Sequence, residues 1–166
     1  MKTRAFALFA VVISAIFLGS STVVATPGKD FGATVLAKGT LAGPAQMEAL
    51  GVEFSTEGST DVWVQQVDFG PGGHSGWHEH PGLVMVTVVT GAVIVRVDCE
   101  PAQLFSVGQS FIEPPLTPGI VANASSTAPA RTFATLVVPA GRAPRIDVPI
   151  APDCNAMASG PNQIDR

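Results

Sequence analysis

The sequence predicts an all-β protein, a single antiparallel barrel or sandwich made of many short strands. Three observations carry this reading. The chain is 46% apolar but only 13% charged, so it can bury a core and lacks the polar, highly charged composition of disordered chains. It holds 17 glycines and 14 prolines among 166 residues, well above their ordinary combined share of about 12%, and without a collagen period. Its apolar segments are short, rich in β-branched residues and divided by those glycines and prolines. No stretch keeps a helical period over three turns, and the length is that of one domain.

The first segment reads as an address and not as part of the fold. Lys2 and Arg4 precede an apolar run from Ala5 to Leu18, then small residues through Val23-Val24-Ala25. This is the layout of a secretory signal peptide cleaved after Ala25. The run of 14 residues is shorter than the roughly 18–20 a spanning helix needs, so no stable membrane insertion is expected after cleavage. The expected organisation is therefore a signal peptide at 1–25, a barrel domain at 26–150 and a tail at 151–166. The expected location is secreted, periplasmic or on the cell envelope. The net charge of −4, with no basic run, excludes nucleic acid as an expected partner.

Strands are predicted in order along the mature chain. Phe31 to Gly39 alternates loosely, and Ala42 to Gly51 reads as a loop or a short helical turn. Asp61 to Phe69 is a strand, ended by a Gly-Pro-Gly-Gly turn at 70–73. Leu83 to Thr90 and Ala92 to Asp98 flank Gly91, the layout of a hairpin. Phe105 to Val107, Ser110 to Glu113, Gly119 to Asn123 and Thr132 to Val138 follow, with Pro114, Pro115 and Pro118 breaking the chain between them because proline cannot donate to a ladder. Beyond Pro139 the chain is loop-like, with Ile146 to Ile150 as an edge strand and disorder expected after Cys154. Met85 is expected in the core and Arg96 on a solvated face. Cys99 and Cys154 are the only cysteines; in an oxidising compartment they are expected to form a disulfide.

Chemistry concentrates in one place. All three histidines, His74, His78 and His80, fall within Gly-Gly-His-Ser-Gly-Trp-His-Glu-His at 72–80. On a strand, His78 and His80 share one face and Glu79 takes the other. Two imidazoles aimed at one point are the minimum of a transition-metal site. Asn123-Ala-Ser matches a glycosylation pattern. There is no Gly-x-Ser-x-Gly elbow and no phosphate-binding glycine loop followed by Lys-Ser or Lys-Thr.

The run from Gly72 through His78-Glu79-His80 to Gly91 resembles the first sequence motif of the cupin superfamily. Gly108, Pro114 and Asn123 echo the second, and the resemblance extends over about Phe31 to Pro149. It implies a small antiparallel jelly-roll barrel with a metal centre facing its hollow, and His78 and His80 carry over as ligands. The sequence departs from the pattern at two ligand positions. Val84 stands where the family has its glutamate, and Gly119 where it has its third histidine. His74 and Glu113 are the candidates to complete the set.

Three functions remain open at this point. One is a secreted barrel with a reduced His-x-His site, weak divalent-metal binding (Zn, Fe, Mn, Ni or Cu) and undetermined activity. Another is a metal-dependent oxygenase or isomerase using His74 or Glu113 as replacement ligand. The last is a non-catalytic binder of a small molecule in the barrel, or an envelope protein. Barrels of this kind often form homodimers.

Overall fold

The computed structural model of the chain describes residues 27–154. The predicted signal peptide and the chain beyond Cys154 lie outside the described residues. The elements described are all strands: β1 (Lys29–Leu41), β2 (Ala45–Ala49), β3 (Val52–Thr56), β4 (Thr60–His74), β5 (His78–Glu79), β6 (Leu83–Thr90), β7 (Ala92–Val97), β8 (Gln103–Ser106), β9 (Ser110–Glu113), β10 (Gly119–Asn123), β11 (Ala130–Pro139) and β12 (Ile146–Asp147). Among the described residues no helix is long and apolar enough to cross a membrane.

Ten of these strands form one antiparallel sheet that rolls into a nearly closed barrel. Its pairings fall into two runs, β1-β4-β11-β6-β9 and β12-β5-β10-β7-β8. The long strand β4 links them, because its last residue, His74, pairs with Ala122 of β10. At the far side Leu116, just after β9, donates its N–H to the carbonyl of His80 at 2.8 Å. That bond brings the end of one run against the other, next to the histidines.

β6, β7 and β11 each bury alternate residues. Val84, Val86 and Val88 of β6 point inward, as do Ala130, Ala134, Leu136 and Val138 of β11. Val93 and Val95 of β7 and Val121 of β10 supply the facing layer, with Phe69 and Phe111 filling the space between. Each such valine, leucine or phenylalanine contributes about 1.5–3 kcal/mol on burial, and each alanine less. Met85 has the opposite parity and lies 43% exposed on the outer surface, not in the core as expected.

Three local expectations are corrected. Thr90-Gly91 is a corner and not a hairpin: β6 pairs with β11 and β9, whereas β7 pairs with β10 and β8. Gly91 turns there at φ +71°, and a Cβ would sit 2.9 Å from the Cβ of Ala130 and the carbonyl oxygen of Pro129. The segment 42–51 is not a loop or helical turn. It makes most of the β2–β3 hairpin, which reverses at Leu50 (φ +52°) and Gly51 (φ +81°), both in the left-handed conformation that two-residue hairpin turns require. The Gly-Pro-Gly-Gly run does not end its strand, because β4 continues through it to His74.

Cys99 and Cys154 are bonded, with Cα atoms 5.3 Å apart. The bridge fastens the chain after β12 to the end of β7. Arg96 is not on a solvated face: its Nη2 lies 3.0 Å from Cys154 Sγ and its Nε is buried without a partner.

Candidate metal centre

The site sits where the two runs meet. His78 is the first residue of β5 and pairs with Gly119 of β10 on one side and Asp147 of β12 on the other. His80 follows two residues later, and Glu79 between them pairs outward with Ile146. Strand parity thus sends both imidazoles inward, where they are 5% and 7% exposed. Their rings stand nearly perpendicular, with centroids 4.8 Å apart.

Glu113 completes the set from the other run. It ends β9 and lies directly opposite Val84 of β6. Directly paired residues place their Cβ atoms about 4.5–5.5 Å apart on one face. The carboxylate that the family pattern puts at Val84 is therefore supplied from one strand over. Glu113 Oε2 lies 2.9 Å from His80 Nε2 and 3.5 Å from His78 Nε2. The ligand atoms of the three residues all fall within 4.8 Å of one another.

The outer nitrogens settle which atoms face the centre. His78 Nδ1 is 2.9 Å from the carbonyl of Gly76, and His80 Nδ1 is 2.5 Å from the carbonyl of Pro144. A carbonyl only accepts, so both Nδ1 atoms carry hydrogen. In neutral rings the Nε2 lone pairs then point at Glu113, the orientation that such outer contacts impose on metal-ligating histidines. Burial raises the Glu113 pKa. Where the rings carry a second proton, the hydrogen bonds and charges of His78 and His80 outweigh it and bring the value down to about 2. Two lone pairs and a carboxylate oxygen so close together call for positive charge, a proton or a metal ion, between them.

The donor set fits a metal. Atoms bound at about 2.0–2.2 Å to one ion lie about 3 Å apart around it, close to the two separations that Glu113 makes. Two imidazoles and one carboxylate with positions left open are the ligand type of non-haem iron(II) sites. A closed structural zinc site wants four protein ligands, and this group has three. His74 does not join the group: its Nδ1 accepts the N–H of Gly76 at 3.1 Å. At Gly119, the other departure, an added Cβ would meet only the Arg96 carbonyl oxygen, at 3.5 Å.

The group opens onto a cavity of about 130 Å³ inside the barrel. Phe31, Val67, Val84, Val86, Phe111 and Leu136 form most of its wall, and Gln65, Ser75, Thr132 and Arg145 add polar groups. Ser75 clamps the loop behind His78, giving its N–H to the Val121 carbonyl at 2.8 Å and accepting the Val121 N–H at 3.0 Å. Asn123 is not available as a glycosylation acceptor. It is 7% exposed and its amide is taken up by Gly70, Ala128 and Ser125.

Residues 65–139, which include β5 to β11 and most of β4, match the family described as Cupin domain. These residues are a cupin domain. The match takes in all three members of the candidate metal group. No curated protein matches the chain. Among solved structures, a cupin-like protein from Thermotoga maritima is 22% identical, with 52% of this chain and 64% of that one covered and a TM-score of 0.47. An oxalate oxidase in complex with glycolate is 20% identical, with 52% and 46% covered and a TM-score of 0.47. The oxalate decarboxylase of Lactobacillus farciminis is 20% identical, with 52% and 26% covered and a TM-score of 0.46. The chain spans less than two thirds of the length of each of these three.

Sequence reasoning reached His78, His80 and Glu113 but not Arg145 or Ser75. Arg145 lies in the Pro- and Gly-rich stretch after β11. Its only local signal is the alternation Arg145-Ile146-Asp147, which puts Arg145 and Asp147 on one side of a short strand.

Proposed function

We propose that this cupin is a secreted metal-dependent enzyme that holds one divalent transition-metal ion on His78, His80 and Glu113 and acts on a small molecule in the barrel cavity. The observation that carries the proposal is the convergence of two Nε2 atoms and one buried carboxylate oxygen. A metal held there supplies a Lewis acid with coordination positions open to the cavity. The protein's own groups do the rest. The carbonyls of Gly76 and Pro144 fix the rings, and the apolar walls keep bulk water from the ligand. The reaction classes this ligand type serves are oxygenation and isomerisation. The signal-like segment at 1–25 and the Cys99–Cys154 bridge support an oxidising, exported setting.

Elemental analysis of the purified protein after loading with Fe²⁺, Mn²⁺ or Zn²⁺ tests the proposal, alongside His78→Ala/His80→Ala and Glu113→Gln. One ion per chain in the parent and none in the double variant is the expected result. No metal in the parent after loading overturns it.

A further inference from the structure

The cavity holds a cation that the metal centre leaves without a task. Arg145 is the only lysine or arginine among the residues that line it. Its guanidinium is fixed from several sides: Nη2 donates to the Ser75 carbonyl at 2.7 Å, and Nε donates to Asp147 Oδ1 at 2.7 Å. The Phe31 ring centre lies 5.5 Å from the guanidinium carbon. A guanidinium has five N–H donors in one plane, so these two bonds do not exhaust it. Asp147 is 56% exposed whereas Arg145 is 26% exposed, so solvent screens their pairing.

Arg145 is also placed by the metal centre itself. It follows Pro144, whose carbonyl holds His80, and it binds Ser75, whose hydroxyl lies 3.4 Å from His78 Nδ1. The cavity therefore has a cationic point on the segments that hold both imidazoles, the metal group at one end, and an apolar wall.

We propose that Arg145 is a specificity-determining residue that selects a compact carboxylate with an apolar body. The carboxylate is held by the guanidinium through charge-assisted hydrogen bonds, and the aliphatic part lies along Val67, Val86 and Phe111. This rests on the metal reading only in taking His78, His80 and Glu113 as the reacting end. Capture of the carboxylate by Arg145 needs no metal.

The test titrates the full chain, stripped with a chelator, with butyrate and with its neutral counterpart butyramide, followed by NMR. Butyrate is expected to bind at least tenfold more tightly than butyramide. Arg145→Met is expected to abolish the preference, and Arg145→Lys to keep part of it. Equal binding of the two probes by the parent overturns the proposal, as does an Arg145→Met protein that keeps the preference. Should Arg145→Met fail to fold, the parent's butyrate-to-butyramide ratio and Arg145→Lys still decide. Metal content of the same proteins separates the two readings. A parent that prefers butyrate but takes no metal sinks the metal site and leaves Arg145 standing, and the reverse result does the opposite.

Discussion

Moving the carboxylate back across one strand is the sharpest perturbation the site offers. Val84 and Glu113 are paired residues with side chains on the same inward face, 2% and 8% exposed. Glu113→Val leaves two imidazoles and an apolar wall. Structural zinc sites with four ligands bind with about 10–16 kcal/mol, about 3 kcal/mol per ligand, so losing one lowers metal affinity roughly a hundredfold. Val84→Glu/Glu113→Val returns a carboxylate within one cross-strand spacing and is predicted to recover at least tenfold of that loss. Val84→Glu alone sets two carboxylates side by side, which raises the pKa of one of them and lowers stability. The assay is competition for Zn²⁺ against a chromophoric chelator, with thermal unfolding in parallel. At a hundred times its Kd, metal stabilises the parent by about 2.7 kcal/mol, roughly 10 °C in Tm for a domain of this size. A Glu113→Val protein with the parent's affinity refutes the three-residue site. A double variant no better than Glu113→Val refutes the idea that the carboxylate has changed strands.

Further predictions concern what holds the site in place. Cys99→Ser/Cys154→Ser opens a loop of 55 residues and is predicted to lower stability by about 4 kcal/mol on the chain-entropy account; an unchanged denaturation midpoint contradicts it. Asn123→Ala strands the carbonyls of Gly70 and Ala128 and the N–H of Ser125; a loss of about 1–3 kcal/mol by urea denaturation is expected, and a neutral result is not. Asp61 receives a hydrogen bond from Thr40, an ion pair from Lys38 and the N–H of Gly141, and these hold its pKa at about 2 against an ordinary 3.8. A depressed carboxylate pKa stabilises above the unfolded value. Asp61→Asn is therefore less stable than the parent at neutral pH, and the difference in Tm closes as pH falls from about 4 to about 2. A difference that persists undiminished at pH 2 contradicts this.

β6 and β11 were legible as strands because their segments are short, apolar and β-branched, but which residues face inward was not, since Met85 sits in an unbroken apolar run beside Val84 and Val86. Their partners were not. Thr90-Gly91 suits a hairpin and a corner equally well in local terms, and only long-range pairing sends β6 to β11 and β7 to β10. The β2–β3 hairpin was hidden because Ala, Gly and Glu carry little strand signal and its turn begins with a leucine at φ +52°. Within the site, parity alone placed His78 and His80. Glu113 was a candidate without a direction, because its inward aspect follows from its register with Val84, and register is a property of two strands. Arg145 was out of reach, since what brings it to the cavity is the pairing of β12 with β5 and its bond to Ser75.

Anomalous X-ray scattering from a crystal loaded with one metal, recorded on both sides of that metal's absorption edge, measures directly whether an ion lies among these side chains. The account predicts a single strong peak within bonding distance of His78 Nε2, His80 Nε2 and a Glu113 carboxylate oxygen. An empty centre, or an ion bound at His74 instead, contradicts it.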